Sequence, residues 1–195
     1  MSPRLPLVLS ERDLPLPELL AAALDGEVFR VEGAFAPVDE IVNAAHRAHA
    51  ILDVAPARFI AEQHSAAWIW GATDVPPRTH EFCVNIGARV TGSPARRHRV
   101  REVVIEQNEI FEFGDVSVTT PLRTAVDLAR FSVRFGGDEA QATLELMMLG
   151  GFTADDCLAE LNRRRNLPNK RQAIQRITQL PSAKNPLRPN ASLTN

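Results

Sequence analysis

At 195 residues and 45% hydrophobic content, the chain can bury a core in one domain, or in one domain with a small appendage, and collagen-like, coiled-coil and disordered classes are excluded. A formal charge of −2 gives no global attraction to nucleic acid, yet residues 1–56 hold four arginines against nine carboxylates while residues 157–195 hold eight basic residues against Glu160 alone. Cys83 and Cys157 stand far apart in no metal or redox spacing, and no apolar run approaches the ~18 residues of a membrane span, so the expectation is a cytoplasmic protein with no membrane partner.

Residues 15–23 can form one short helix, and the alternation in 26–35, with its two glycines, predicts a hairpin. Val38, Ile41, Val42, Ala45, Ala48 and Leu52 recur at helical spacing, which predicts a helix over 38–52; Pro56 opens another through Gln63, and Ser65 caps a short turn ended by Gly71. The period then changes. Residues 80–86, 101–106, 109–113 and 115–118 read as strands, the middle two joined by the turn-forming Gln107-Asn108. Thr120 is a cap and Pro121 a first helical residue, so the run to Arg130, with Leu122, Ala125, Val126 and Ala129 on one stripe, is the strongest strand-to-helix junction in the chain. Further helices are expected at 138–149 behind Asp138, from Thr153 to about Arg164, and at 169–180, before a proline-punctuated polar tail. The sum is an α+β fold, an antiparallel sheet of about four strands packed with helices and followed by a helical C-terminal part. Three segments are expected, 1–55, 56–181 and a tail at 182–195.

Few residues pass as catalytic. Gly136-Gly137-Asp138-Glu139-Ala140 has the look of a cyclic-dinucleotide synthase signature, but helical patterns flank it on both sides and helix stop followed by cap explains it. His46 and His49 could share a helix face without a third ligand, and His80 and Cys83, three apart on a strand, point to opposite faces, so no metal or cofactor site is expected. A restriction-type nuclease needs an acid two residues before a lysine, and Lys170 and Lys184 follow Pro168 and Ser182 instead. Arg123 and Asp127, four apart, are either a helix-tightening pair or a functional one. Positive charge is the remaining signal: Arg89, Arg96, Arg97, Arg99 and Arg101 crowd a Gly-Ser-Pro loop leading into a strand, where they could neutralise phosphates. Trp68 and Trp70, two apart on a helix, cannot face the same way, so one belongs to the core and the other to a groove or partner surface.

The segments 64–71, the arginine-rich strand region and 118–130, in that order, resemble the AbiEi-type antitoxin-like family of bacterial proteins, carried by Ser65-Ala66-Ala67-Trp68 and Thr124-Ala125-Val126-Asp127-Leu128-Ala129. The resemblance implies a transcriptional repressor and type IV antitoxin that forms no stable toxin complex, usually opening with a winged helix-turn-helix and in some relatives closing with an endonuclease domain similar to very-short-patch repair enzymes. Residues 26–37 resemble the wing, with room for one short helix before it, and no endonuclease segment follows. The expectation is thus a non-enzymatic regulator that contacts double-stranded DNA through the arginine loop rather than the acidic wing. A protein-interaction or homodimerisation module that has lost DNA binding is the competing class, and an enzyme with an unrecognised site is third.

Overall fold

The computed structural model describes residues 6–51, 58–87 and 98–181. Pro15 leads helix α1 (Leu16–Leu24), and strands β1 (Val28–Val31) and β2 (Ala34–Pro37) follow as the expected hairpin, a two-stranded antiparallel sheet. Leu19, Val28 and Phe35 close a small core of their own beneath it.

Helix α2 (Ala44–Ala50) is shorter than its apolar period suggests. Asn43 Oδ1 accepts the backbone N–H groups of Ala45 and His46 at 2.9 and 3.3 Å, which fixes the start there and leaves Ile41 exposed. The helix expected from Pro56 is also corrected: β3 (Ile60–Ala61) is a strand within the described part of that stretch, and α3 (Gln63–Trp70) starts only after it. A two-residue apolar run fits a central strand as well as a helical turn, and pairing on both sides decides for the strand. Gly71, at φ +87°, ends α3 as expected.

The main sheet has five strands in mixed order. Strands β4 (His80–Asn85), β5 (His98–Val103), β6 (Ile110–Phe113) and β7 (Val116–Thr119) join β3 in the order β5-β4-β3-β7-β6. Pairs β4–β5 and β3–β7 are parallel, while β3–β4 and β6–β7 are antiparallel. The hairpin expected across Gln107-Asn108 does not form, because β5 and β6 lie on opposite edges of the sheet and a 3-10 turn (Gln107–Glu109) carries the chain between them. Ala61, Phe82, Val84, Val116 and Val118 belong to the core that includes Trp68 and the α2 residues.

Helix α4 (Pro121–Phe131) begins at Thr120, whose Oγ1 accepts the Arg123 N–H, and it is buried from Arg123 to Arg130. It packs with α5 (Gly137–Gly150), α6 (Ala154–Arg163) and α7 (Lys170–Thr178) around Leu128, Leu146, Leu161 and Ile177. Gly136 rather than Asp138 caps α5, its N–H donating to Glu139 Oε2 at 3.0 Å; Thr153 caps α6 as its sequence implies. The expected tail lies outside the described residues.

Candidate functional site

Asp127, wholly buried on the inner face of α4, is the centre of the most charged interior among the described residues. Its Oδ2 accepts Arg123 Nε at 2.9 Å and Arg101 Nη2 at 3.0 Å, and its Oδ1 accepts Arg130 Nη1 at 2.8 Å. Arg101 continues to Glu62, which it grips through Nε and Nη2, the latter at 2.6 Å. Arg123 continues the other way to Glu109 at 2.8 Å, and Glu109 accepts Arg164 Nη2 at 2.7 Å from beyond α6. Glu62, Asp127 and Glu109 thus face Arg101, Arg123 and Arg130, and with Arg164 set against Glu106 at the rim the network sums to zero.

The protonation directions follow from that balance. Burial opposes the charge on Arg123, but Asp127 and Glu109 outweigh it and raise its pKa. Burial likewise opposes ionising Glu109, yet the Glu106 N–H and Arg123 win and hold its carboxyl below the ordinary value. For Arg130 burial prevails and the pKa falls, so it is the least comfortable cation of the set. Cys83, next to this interior, is pushed far up by burial and then by Glu62, which leaves it an inert thiol.

Of the residues the sequence singled out, Arg123 and Asp127 are brought together as a pair, within a far larger network. Arg101 is not on an open loop: it lies in β5, paired with Cys83 of β4, and its guanidinium is spent on Glu62 and Asp127 and on the ring of Phe131, 3.9 Å from the centroid. That corrects the expectation of an accessible group, because a side chain gripped by two buried carboxylates has little left for a phosphate. Arg99, two residues earlier on the same strand face, is 77% exposed, with Glu81 at 3.9 Å. Arg89, Arg96 and Arg97 lie outside the described residues. Trp68 is the core member of its pair, and Trp70 reaches the rim, donating Nε1–H to the Thr119 carbonyl and packing edge-on to the half-exposed Phe111.

Sequence reasoning missed Glu62, Glu109 and Arg130. Arg130 was findable, three residues past Asp127 on one helix. Glu62 was signalled only by an acid directly behind the apolar Phe59-Ile60-Ala61, and nothing local marks Glu109. His46 is buried against Glu40 at 2.7 Å, and among the described residues no group of three or more His, Cys, Asp or Glu side chains is placed to hold a metal ion.

A five-stranded mixed sheet with α4 pinned to it by a neutral ion network defines an α+β domain in which these buried charges hold elements together. The family described as AbiEi antitoxin C-terminal domain matches residues 59–180, and the chain belongs to that family. Its structure is similar to a crystal structure of the RV2827C protein from Mycobacterium tuberculosis, at a TM-score of 0.47 and 17% identity over 90% of this chain and 71% of that one. No curated protein matches. Among the described residues no helix is long and apolar enough to cross a membrane.

Proposed function

We propose that the chain is a non-enzymatic regulator of the antitoxin type that contacts double-stranded DNA through the arginine-rich segment ending at Arg99. The observation that carries this reading is how the charges at the site are spent. Each of the three buried carboxylates is already met by guanidinium groups of the chain itself, which leaves none of those three poised as a general base. At the rim the balance reverses, since Arg99 is exposed and only loosely opposed by Glu81. Membership of an antitoxin family agrees with regulation rather than turnover. The hairpin is the weaker DNA surface, because Glu27 is exposed there and Arg30 spends its Nε–H on the Glu32 carbonyl.

The test is fluorescence anisotropy with duplex DNA over a salt series. Binding is expected to weaken steeply with salt, and Arg99→Ala is expected to lower the slope of log K against log salt by about 1. Replacing Arg96, Arg97 and Arg99 together should remove most of the affinity. No binding at low salt, or a slope indifferent to the triple replacement, refutes the reading. The competing reading, a homodimer or partner-binding module, draws on exposed Leu16, Leu20 and Leu24 along α1 beside Phe29. A solution mass of one chain at micromolar concentration would remove the homodimer from it.

A further inference from the structure

Two exposed surfaces of the chain take no part in the ion network or in the contact at Arg99, and each holds what the other lacks. The first is the outer side of α1. Leu16, Leu20 and Leu24 recur every four residues and so form one ridge, exposed by 41%, 46% and 89%, while Leu19 is the buried residue of the helix. Glu18 and Asp25, seven apart, share the neighbouring flank, and Glu27 follows the helix end. All three acids are exposed, and none has a side-chain partner among the described residues. An apolar ridge of this length, edged by charge, is the kind of surface that marks a protein contact.

The second is a cleft of about 620 Å³ where α6 turns into α7. Its floor is apolar, from Leu167 and Ile174, both half-buried against the core around Leu161 and Ile177. Its walls carry Arg165, Lys170 and Arg171, and no carboxylate lines it among the described residues. These cations differ from the arginines just before them. Arg163 and Arg164 are spent on Glu106, Glu109 and Glu160. The exposed guanidinium groups of Arg165 and Arg171 meet no acceptor among the described residues, and Lys170 gives one long bond, 3.3 Å, to the Arg164 carbonyl.

We propose that α1 of one copy of the chain docks in the α6–α7 cleft of a second copy, so that copies join head to tail. The leucine ridge fills the apolar floor, and Glu18, Asp25 and Glu27 come to lie beside Arg165, Lys170 and Arg171. The complementarity runs through the whole sequence, with four arginines against nine carboxylates in residues 1–56 and eight basic residues against Glu160 in residues 157–195. Charge also rules against the twofold alternatives, since α1 on α1 crowds the acids of both copies and cleft on cleft crowds the cations. Nucleic acid would suit the three cations, but it leaves the ridge uncovered and sets Leu167 and Ile174 against phosphate. A second copy accounts for both surfaces at once. A contact between two different faces leaves a free ridge at one end and a free cleft at the other, so growth continues past the dimer. One nine-residue helix in one cleft is a small interface, so association is weak and depends on concentration. Neither surface includes Arg99, so joined copies keep the DNA contact inferred above. That consequence rests on the earlier reading, whereas the assembly does not.

Sedimentation equilibrium of the full chain without DNA, over about 1 µM to about 1 mM, tests the assembly. The average mass should climb beyond two chains, and association should weaken severalfold as salt rises from about 0.01 M to about 1 M, where the Debye length falls from about 30 to about 3 Å. Leu24→Asp spoils the ridge and the double replacement Arg165→Glu with Arg171→Glu spoils the cleft, all at exposed positions. Each variant alone should stay a single chain. Mixed in equal amounts they should form a 1:1 dimer and nothing larger, because one intact cleft then meets one intact ridge; that rescue also shows that both variants are folded. The proposal is overturned if the native chain stays single up to the highest concentration, if the cleft variant still self-associates, or if the mixture does not pair. Loss of duplex affinity in the cleft variant of a chain that never self-associates makes the cleft a phosphate surface and overturns it too. Failure in this assay leaves the DNA contact at Arg99 standing, and the reverse.

Discussion

Replacing Asp127 by asparagine tests whether the network is a structural pin. The substitution keeps the shape but removes the one negative charge that faces Arg101, Arg123 and Arg130 at 2.8–3.0 Å. The buried set then goes from neutral to one excess positive charge, with Asp127 wholly inaccessible to water and Arg123 nearly so. Breaking a buried pair by removing one partner costs about 3–5 kcal/mol. For a chain of this size each kcal/mol lowers the melting temperature by about 2–4 °C, so the expected fall is about 6–20 °C. Differential scanning calorimetry or urea unfolding reads it. The double variant Asp127→Asn with Arg130→Gln restores neutrality, leaving Glu62 and Glu109 against Arg101 and Arg123, and should cost about 1–3 kcal/mol less than the two singles added. A single substitution that shifts the midpoint by less than about 2 °C, or a strictly additive double, would refute the reasoning and reopen a catalytic role for Asp127.

Gly150→Ala should destabilise by about 1–3 kcal/mol on chemical denaturation, because a Cβ there would lie 2.6 Å from the Phe152 ring and 3.0 Å from Pro121 Cβ; a gain in stability from better helix propensity would show that Phe152 moves freely. Burial pushes the Cys157 thiol up to about 12 and Cys83 further still, so neither should react with a thiol reagent in the native state and both should react once urea unfolds the chain. The Glu81 bond raises the folded pKa of His64 above 6.5, so its contribution to stability is complete below that value and is lost as pH rises through the raised one. The difference in unfolding midpoint between the native protein and His64→Gln should therefore shrink from about pH 6 to about pH 8; a constant difference refutes the pairing.

The sequence made some of this legible and not the rest, for reasons that lie in range. Thr120 and Pro121 act within one helical turn, so α4 could be placed to the residue, and Arg123 with Asp127 could be seen as neighbours. The partners that turn that pair into a network are distant along the chain: Arg101 is 39 residues from Glu62 and 26 from Asp127. The same limit explains the false hairpin. Gln107-Asn108 has turn chemistry, but β5 had already found β4 in parallel register, a pairing that no nearby residue signals. It also explains Arg101, whose position in an arginine-rich run says nothing of the carboxylates opposite.

Scaffold and rim are coupled through one strand. Arg99 and Arg101 alternate with Val100, so they share a face of β5, and Arg101 is the anchor that fixes that edge strand to Glu62 and to α4. The exposed cation owes its position to a buried anion that no phosphate would touch. Glu62→Gln therefore keeps the charge of Arg99 while loosening the strand that presents it, and it separates position from charge. If presentation matters, duplex affinity should fall severalfold while the salt slope stays near that of the native protein, because the number of phosphate contacts is unchanged. Arg99→Ala, by contrast, should lower the slope itself. Affinity that is indifferent to Glu62→Gln at equal salt would show that the rim needs no anchoring, and the link from the ion network to DNA contact would fall.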